Sequence, residues 1–476
     1  MRKIFKTAIS TLLITGMMCF PTIVSAETRL KDGDLKQGKI ECLYSLDNSF
    51  NDAKNCVVKG LKNMEESIDI SKFKLSKDSV KKIMQSIFIE HPELFYVNSN
   101  RYVIGSSNGV VVLLKPIYLY DRDTTIQYNK FFEEKTNEAL LCIEDNMSDF
   151  EKALVIHDYI VLNCEYNTDD NIIKFNTAYD VLVNGEANCE GYSKAYSYLL
   201  SIAGIDSEFI ESSEMNHAWN KVKIDDAYYN VDVTWDDPVP NQYGIVNHNY
   251  FLFSDNISNN LNHYNYETLR KSNDTKYDNL ALHNAGSKVC YLNNKWYTIV
   301  NNLDSDYAKS IVLFEEDRNS LKIVKKIDSC WKSPSGNVWN RGFSSLDVYQ
   351  GKLYYNTQDA IYSFNPENLG EKLIAKKDSN LDYYGFMIDK NCIYAAIKNN
   401  PNERGEVILA KEIQEKIGDV NGDGSISIID ATMIQRHLLK MVQFSEEQKA
   451  KADINKDGQI NIMDSTLLQR KISGLL

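Results

Sequence analysis

The sequence has no pair of cysteines at Cys-x-x-Cys spacing, although it contains nine cysteines in 476 residues. Structural zinc sites and redox-active dithiols normally use such closely spaced pairs, and disulfide scaffolds need cysteines at high density. The scattered cysteines therefore favour neither a zinc site nor a disulfide framework. We expect most of them to be small buried side chains.

Long hydrophobic runs are also missing, with a single exception at the start of the chain. The basic residues Arg2, Lys3 and Lys6 precede a short apolar run that leads to Val24-Ser-Ala26. This order is typical of a secretory signal peptide over residues 1–26, and the run is too short to be a comfortable membrane span. We therefore expect export, an extracellular location near the cell surface and no membrane span.

Positive charge is in deficit. The chain has 53 lysines and arginines against 66 acidic residues, a net charge of −13. Loss of the three basic residues of the signal peptide would leave 50 against 66, a net charge of −16. Because an acidic surface repels phosphate backbones and anionic lipids, neither nucleic acid nor an anionic membrane is an expected partner. The chain length is typical of two to four domains.

A cysteine, a histidine and an aspartate occur in this order in the middle of the chain, as Cys189, His217 and Asp232. This set of side chains suits nucleophilic acyl transfer. A thiolate attacks a carbonyl carbon, an imidazole moves the proton, and a carboxylate holds the imidazole in place. The three residues are therefore candidate catalytic residues.

The local pattern places these residues on regular elements. Helical spacing of apolar residues predicts a helix over Cys189–Ala203, which puts the cysteine at the helix N-terminus, where the dipole favours a thiolate. A hairpin is predicted from the strands His217–Ile224 and Ala227–Trp235 around the turn Asp225-Asp226. In that register His217 and Asp232 are diagonal neighbours on one face, about 7–8 Å apart at the backbone. A slip of one residue would separate them.

Three motifs around these residues resemble the transglutaminase-like, papain-related cysteine enzymes: Cys189-Glu-Gly-Tyr192, His217-Ala-Trp-Asn220 and Val231-Asp-Val-Thr-Trp-Asp236. The resemblance implies a papain-like core, which we place at residues 141–265. It also implies roles as nucleophile, general base and acid, and orienting carboxylate for Cys189, His217 and Asp232. Relatives often have Asp-Gly at the turn where this chain has Asp225-Asp226, so the turn lacks its most permissive residue.

Residues 27–140 predict a mixed α/β region, with helices at Asn51–Glu66 and Ser76–Glu90. This region resembles the segment found ahead of the core in bacterial relatives, and we expect it to supply part of a substrate cleft. His157 and Asp158, on a further predicted helix, are interpreted as a structural pair because His217 already fills the catalytic role. His91, which precedes a proline at a predicted helix exit, is interpreted as structural. His248 and His263 are interpreted as surface or packing residues rather than ligands.

Residues 285–413 consist of short alternating runs with polar turns, a pattern typical of β-strands. Three weak repeats of strand, hairpin and strand are similar to propeller blades, which leaves a partial propeller and a sandwich as alternatives. Aromatic residues in this region could stack on sugar or peptide, or could simply suit strands. The tryptophans concerned are Trp296, Trp331 and Trp339.

A motif near the end of the chain occurs twice, from Gly418 to Asp430 and from Ala452 to Asp464, with an offset of 34 residues. Each copy has oxygen-bearing side chains at loop positions 1, 3, 5, 9 and 12, a glycine at position 6 and a backbone carbonyl at position 7, as Ca²⁺ requires. The predicted ligands of two Ca²⁺ ions are Asp419, Asn421, Asp423, Ser425, Ser427 and Asp430 in the first loop, and Asp453, Asn455, Asp457, Gln459, Asn461 and Asp464 in the second.

A calcium loop followed by one helix, duplicated at the end of an exported chain, resembles a type I dockerin over residues 416–476. The resemblance implies binding to a cohesin module of an extracellular scaffold, as in cellulosomes. Relatives often carry Ser-Thr at loop positions 10 and 11, where this chain has Ile428-Ile429 and Ile462-Met463. The cohesin type therefore stays open, and exposed apolar side chains at these positions would suit an interface.

These patterns predict an α+β multidomain protein with a papain-like transglutaminase core, a β-rich region and a small all-α dockerin. The predicted function is that of a scaffold-associated cysteine enzyme acting on peptide or amide carbonyls, as a protease, an amidase or a transglutaminase. Its substrate would be a protein or peptide. The alternative is a non-catalytic binding or structural component of an extracellular polysaccharide-degrading complex. No paired acidic motif in the core supports glycoside hydrolysis.

Overall fold

The computed structural model describes residues 37–44, 48–144, 146–167, 175–301, 309–314, 320–333, 335–339, 342–378, 380–389, 391–413, 416–423 and 425–475. The predicted signal peptide, residues 1–26, lies outside these described residues. The chain forms two compact units, one of Met1–Asn241 with Val246–His283 and the other of Gln242–Ile245 with Asn284–Leu476. Within the described residues, no helix has both the length and the apolar character needed to cross a membrane.

The first part of the first unit mixes helices and strands. Its elements are β1 (Ile40–Cys42), α1 (Asn48–Lys62), β2 (Ile68–Asp69), α2 (Lys77–Glu90), β3 (Val97–Ser107), β4 (Val110–Tyr118) and α3 (Arg122–Leu140). Ser76 starts α2 by accepting a hydrogen bond from the Ser79 amide at 3.1 Å. The helix predicted over Asn51–Glu66 ends earlier, at Lys62, and Met64 just beyond it adopts a left-handed φ of 51°, a conformation that ends many helices.

The remainder of the first unit is built on a five-stranded sheet. Its elements are α4 (Asp149–Asn163), β5 (Glu165–Tyr166), β6 (Glu186–Ala187), α5 (Cys189–Ile202), β7 (Ser207–Ser212), β8 (His217–Ile224), β9 (Ala227–Val231), α6 (Val233–Asp236), β10 (Phe251–Phe253) and α7 (Asp255–Ser258). The sheet has the strand order β1-β7-β8-β9-β10, with β1 parallel to β7 and the other pairs antiparallel. Helix α5 packs against β7 and β8, which brings its first turn close to the start of β8.

The hairpin of β8 and β9 has the predicted register around Asp225-Asp226. Asp225 takes a left-handed φ of 55°, a conformation that aspartate tolerates better than most non-glycine residues. The second strand was predicted to reach Trp235, and this is wrong, because β9 ends at Val231. Asp232 instead caps α6, since its carboxylate accepts hydrogen bonds from two of the amides that follow it.

The second unit contains three antiparallel sheets in its described residues. Its strands are β11 (Cys290–Leu292), β12 (Lys295–Asn301), β13 (Lys309–Phe314), β14 (Leu321–Ile327), β15 (Leu346–Tyr349), β16 (Lys352–Asn356), β17 (Ala360–Asn365), β18 (Gly370–Lys376), β19 (Asp382–Asp389), β20 (Cys392–Lys398) and β21 (Glu406–Glu412). The sheets are β11–β14, β15–β18 and β19–β21, and each strand pairs with the next along the chain. One apolar cluster lies between the first and second sheets and another between the second and third. Because a sandwich has two facing sheets, three sheets in succession favour the blade-like alternative.

Trp331, one of the tryptophans considered for stacking on a ligand, is a core residue. Its side chain is fully buried against Phe343 and Tyr384, and its indole donates a hydrogen bond to the Tyr383 carbonyl at 2.7 Å. A buried, hydrogen-bonded indole cannot stack on sugar or peptide from solution. The packing interpretation therefore holds at this position.

The last part of the second unit is helical, with α8 (Ile428–Leu438), α9 (Glu446–Ala452) and α10 (Ile462–Ile472). Ser427 and Asn461 cap α8 and α10, and each cap is completed by an aspartate three residues later, Asp430 or Asp464. The two helices therefore start two residues before these aspartates, at Ile428 and Ile462. They pack over a small apolar core that includes Val420, Ala431, Ile434, Phe444, Ala452 and Leu468.

Candidate functional site

Cys189 begins α5, at the end of the helix where backbone N–H groups lack partners within the helix. Asn188 caps this end, and its side-chain oxygen accepts a hydrogen bond from the Gly191 amide at 3.1 Å. The Cys189 side chain is partly exposed, and none of the cysteines in the described part of the chain forms a disulfide. The thiol is therefore available for chemistry, at a position where the helix dipole favours the thiolate.

His217 and Asp232 are in direct contact. Nε2 of His217 lies 2.6 Å from Oδ2 of Asp232, and both side chains are buried. The other carboxylate oxygen, Oδ1, accepts hydrogen bonds from the amides of Thr234 and Trp235 at 3.0 and 3.1 Å. The first turn of α6 therefore fixes the carboxylate, and the carboxylate fixes a proton on Nε2 of the imidazole.

The two groups stabilise each other's charge. Burial disfavours the His217 cation, but the charge of Asp232 and the hydrogen bonds to Asp232 and Cys189 outweigh burial and raise the pKa of His217 to about 10. Burial likewise disfavours the Asp232 carboxylate, but the charge of His217 and the hydrogen bonds from two histidines lower its pKa to about 2. At neutral pH the two residues therefore form an ion pair.

The three residues singled out in the sequence lie together in the structure. Cys189 lies close enough to His217 to help raise the pKa of the imidazole, and because Nε2 is engaged by Asp232, Nδ1 is the nitrogen left for the thiol. The indole of Trp235 stacks on the imidazole, with ring centroids 4.8 Å apart. This arrangement can form a thiolate–imidazolium pair in which the imidazole plane is held on one side by the indole and at one nitrogen by the carboxylate.

His263 is a second histidine on Asp232, and sequence reasoning missed this contact. Its Nε2 lies 3.0 Å from the same Oδ2 that binds His217, and its Nδ1 lies 2.8 Å from the Leu261 carbonyl. The ring is fully buried, so the surface interpretation is wrong and the packing interpretation is incomplete. Since 31 residues separate His263 from Asp232, no local motif could have revealed the contact.

The pair His157 and Asp158 belongs to a buried polar network, as the structural interpretation required. His157 contacts Asp158 at 2.9 Å and Asp236 at 3.1 Å, and His248 contacts Asp158 at 2.8 Å. Burial disfavours the His157 cation, but the hydrogen bonds and charges of the two carboxylates raise its pKa to about 9. Asp236 is the last residue of α6, so the network anchors the helix that Asp232 caps.

Two histidine–aspartate trios in the described residues have donor atoms within 4.8 Å of one another, a spacing that would also admit a metal ion. They are His157, Asp158 and His248, and His217, Asp232 and His263. Within each trio, both histidines contact a single aspartate at hydrogen-bonding distance. Hydrogen bonding therefore accounts for the observed geometry of both.

Tyr166 is a further polar residue near the thiol. Burial, followed by the charges of Cys189 and Asp232, raises the pKa of its phenol. The hydroxyl therefore stays protonated through neutral pH and can donate a hydrogen bond. Its position follows from β5, which pairs in parallel with β6 just before the cysteine, so that Tyr166 lies opposite Ala187.

An open cleft of about 570 Å³ lies in the first unit, and its lining does not include Cys189, His217 or Asp232. Glu190, next to the cysteine in sequence, is part of its wall, and Ile89 and Phe209 line it as well. These two apolar residues belong to the cluster against which Cys189 packs. Other lining residues come from α2 and β3, among them Lys81, Phe88, Arg101 and Tyr102. The region ahead of the core thus contributes to the cleft.

The two C-terminal loops are rich in oxygen ligands. Asp430 and Asp464, at position 12, are fully buried, and neither forms an ion pair with a described residue. Their carboxylates accept backbone hydrogen bonds within their own loops, at 2.8 Å from Ser427 and at 2.9 Å from Asn461. Because a buried carboxylate without a basic partner needs a cation, this donor set fits Ca²⁺. The apolar residues at positions 10 and 11 are exposed, namely Ile428, Ile429, Ile462 and Met463.

Comparison with known protein families finds two matches. Residues 140–233 match the transglutaminase-like superfamily, and residues 417–473 match the dockerin type I domain. The first match contains all three candidate catalytic residues, and the second contains both predicted calcium loops. Transglutaminase-like proteins generally have cysteine-dependent activity, and type I dockerins generally bind calcium.

Individual relatives cover only parts of the chain. Kyphoscoliosis peptidase of Mus musculus is 26% identical over 110 residues, which are 20% of this chain and 17% of that protein. The match thus spans about a sixth of the relative's length. A crystal structure of a TGase shares 13% identity and a TM-score of 0.21, covering 28% of this chain and 44% of the other. From the family matches, the chain carries a transglutaminase-like domain and a C-terminal type I dockerin domain.

Proposed function

We propose that this protein is a secreted, scaffold-associated cysteine enzyme that hydrolyses peptide or amide bonds through an acyl-enzyme. The observation that carries the proposal is the hydrogen bond between His217 and Asp232 with Cys189 close to the imidazole and its thiol at a helix N-terminus. The transglutaminase-like match over the same residues supports thiol-based acyl transfer. The dockerin match supports attachment to an extracellular scaffold.

In the proposed first half-reaction, His217 accepts the thiol proton from Cys189, and the thiolate sulfur attacks the carbonyl carbon of the substrate. The carbonyl π electrons move to oxygen, giving a tetrahedral oxyanion. As the oxyanion collapses, the C–N bond breaks and the imidazolium of His217 donates its proton to the leaving amine. The products are a free amine and a thioester on Cys189. Throughout, Asp232 keeps the proton on Nε2 and stabilises the imidazolium.

The oxyanion needs hydrogen-bond donors close to Cys189. The backbone N–H of Cys189 is one candidate, because it lies at the N-terminus of α5 and has no carbonyl partner within the helix. The hydroxyl of Tyr166 is the second candidate, since its phenol lies within electrostatic reach of the thiol and remains protonated. We assign these two groups to the oxyanion site.

In the second half-reaction, His217 removes a proton from water, and the water oxygen attacks the thioester carbonyl. The C–S bond then breaks, the carboxylic acid leaves and the proton returns to the sulfur of Cys189. A lysine amine could take the place of water and form a cross-link instead. We propose water as the acceptor because the Cys189 side chain is partly exposed, which gives solvent access to the thioester.

The substrate we propose is an extended segment of a protein or peptide. The cleft has an apolar part, with Met84, Phe88, Ile89 and Phe209, and a polar part at β3. Apolar walls with a few polar groups are typical of sites that bind peptide side chains while orienting the backbone. The segment ahead of the core would then select substrates, while the core performs the chemistry.

The dockerin is proposed to bind two Ca²⁺ ions and a cohesin module. The ions would neutralise the buried carboxylates of the loops and fix the first turns of α8 and α10. Those turns carry the exposed apolar pairs Ile428-Ile429 and Ile462-Met463. Apolar side chains held on two rigid helix starts are suited to burial against a partner.

The experiment that tests the catalytic proposal is iodoacetamide labelling of the purified protein between pH 5 and 9, mapped by mass spectrometry. We expect Cys189 to react rapidly below pH 7, and the change His217→Ala to abolish this reactivity. Cys56 and Cys330, which are also partly exposed, serve as internal controls with ordinary thiol behaviour. If Cys189 reacts no faster than these two cysteines, the proposal is wrong.

Substrate turnover then distinguishes hydrolysis from cross-linking. The protein is incubated with a peptide mixture, with and without a primary amine, and products are identified by mass. We expect cleaved or deamidated peptides in both samples, and none with Cys189→Ala. Predominant incorporation of the amine would instead identify a transglutaminase.

A further inference from the structure

The carboxylate of Asp232 has an unusual set of partners, because one oxygen serves two imidazoles. Oδ2 contacts Nε2 of His217 at 2.6 Å and Nε2 of His263 at 3.0 Å. A catalytic triad of cysteine, histidine and aspartate requires only one imidazole on the carboxylate. The contact to His263 therefore needs its own explanation.

The hydrogen bonds of His263 define its protonation. Nδ1 lies 2.8 Å from the Leu261 carbonyl, which can only accept a hydrogen bond. Nε2 faces Asp232, which is ionised at neutral pH and also accepts only. Both ring nitrogens therefore face acceptors, a geometry in which an imidazolium satisfies both contacts and a neutral ring satisfies only one.

The surroundings of His263 suit a buried cation. The rings of Trp235, Trp219 and Phe253 lie around it, with centroids 4.5, 4.9 and 5.0 Å away, and Tyr250 follows at 5.7 Å. Aromatic faces and edges of this kind pack tightly around an imidazole, and the faces attract positive charge. The ring is fully buried, so water does not compete for its N–H groups.

We propose that His263 is a positioning residue that holds the Asp232 carboxylate as an imidazolium and limits how strongly that carboxylate retains the proton of His217. The proposal rests on the proposed function of the three catalytic residues. A general base must release its proton as well as accept it, and works best when its proton affinity matches the working pH. A carboxylate that serves His217 alone would hold the imidazolium too tightly.

The expected size of the effect follows from the distance between the two rings. The ring centroids of His217 and His263 are 6.0 Å apart. At an effective dielectric constant of about 20, a charge on one ring shifts the pH midpoint of the other by about two units. Among the described residues that contact the His263 ring, the titratable groups are Asp232, His217 and the Tyr250 phenol, and Cys189 in turn affects the titration of His217. Removal of the His263 charge should therefore raise the pH at which His217 loses its proton.

The test uses ¹⁵N-histidine-labelled full-length protein in a Cys189→Ala background, which removes the contribution of the thiolate. The titration of the His217 ring is followed by NMR with and without His263→Gln. Glutamine is neutral but can still donate a hydrogen bond to Asp232. We expect the His217 midpoint to rise by about one to two pH units. An unchanged or lower midpoint overturns the proposal.

His283→Gln is the matched control. His283 is half-buried in the first unit and contacts a backbone carbonyl, that of Phe251, at 2.8 Å, but has no hydrogen bond to Asp232. A purely structural loss would appear in both variants, whereas only His263→Gln should move the His217 midpoint. If His263→Gln fails to fold, the proposal is tested by NMR on the unaltered protein. There the His263 ring, assigned through its contacts with Phe253 and Tyr250, must carry protons on both nitrogens at pH 8. A neutral ring there overturns the proposal.

Labelling of Cys189 separates this inference from the proposed function. With Cys189 in place, His263→Gln should keep the rapid labelling below pH 7, because the donor to Asp232 is retained. His263→Phe removes that donor and should slow labelling by about tenfold, the effect of a lost hydrogen bond to a charged group. Slow labelling in the unaltered protein would refute the enzyme proposal, whereas fast labelling with no shift of the His217 midpoint would refute the role of His263 alone.

Discussion

Replacement of Asp232 by asparagine tests the central electrostatic argument with a minimal change of shape. The amide can still occupy the cap of α6, where Oδ1 accepts hydrogen bonds from Thr234 and Trp235. The negative charge is lost, and the acceptor oxygen Oδ2, which faces both imidazoles, is replaced by an NH2 donor. The charge of Asp232 is the largest of the effects that favour the His217 cation, while burial opposes it.

The magnitude follows from the His217 pKa, which is about 10 in the folded protein against 6.5 for an isolated histidine. Without the carboxylate, burial should bring the pKa to 6.5 or below, a fall of at least three units, or about 4 kcal/mol. His217 would then be largely neutral at pH 7, and the Cys189 thiolate would lose its counter-ion. A thiol with an ordinary pKa near 8.5 is only about 3% ionised at pH 7, so labelling should slow about thirtyfold.

The assay is the rate of Cys189 alkylation by iodoacetamide at pH 6 and pH 7, with circular dichroism as a check on folding. Asp237→Asn is a useful control, because this buried carboxylate accepts a hydrogen bond from Tyr192 and does not contact His217. We expect the control to keep the rapid labelling. If Asp232→Asn also labels rapidly, the ion pair is not what activates the thiol, and the reasoning is refuted.

Three further predictions concern other parts of the molecule. The pKa of His157 is raised to about 9 in the folded protein, so the His157 cation stabilises the fold fully below about pH 6.5, and this stabilisation is lost as the pH rises through about 9. His157→Gln should remove about 3 kcal/mol of stability at pH 6 and flatten the pH dependence of urea unfolding between these two pH values. An unaltered pH dependence would show that the network carries no charge. Tyr166→Phe should lower peptide turnover about a hundredfold with little change in the rate of Cys189 labelling, since the oxyanion forms only during turnover. Equal losses in the turnover rate and in the labelling rate would point to a structural role. Chelation of calcium should increase amide hydrogen exchange in α8 and α10, and Asp430→Asn with Asp464→Asn should reproduce this effect in the presence of Ca²⁺; protection that is insensitive to both changes would contradict the calcium assignment.

The local features of the chain could be predicted because they depend on neighbouring residues. The start of α5 at Cys189 follows from apolar spacing and the Asn188 cap. The hairpin register follows from the two-residue turn at Asp225-Asp226. The end of the second strand could not be predicted in the same way. The run to Trp235 suits a strand by propensity, but Asp232 turns the chain by capping α6.

The chemical groups, the elements that carry them and the two duplicated oxygen-rich loops could therefore be identified from the order of the amino acids. The fold was needed to show which distant groups share a carboxylate. His263 reaches Asp232 from 31 residues away, and His157 reaches Asp236 from 79 residues away. Such contacts depend on how β10, α4 and the loops pack around α6, and the buried carboxylates there raise the pKa values of His157 and His217. Because burial and long-range packing leave no periodic pattern in a single sequence, these charges could be assigned only once the fold was known.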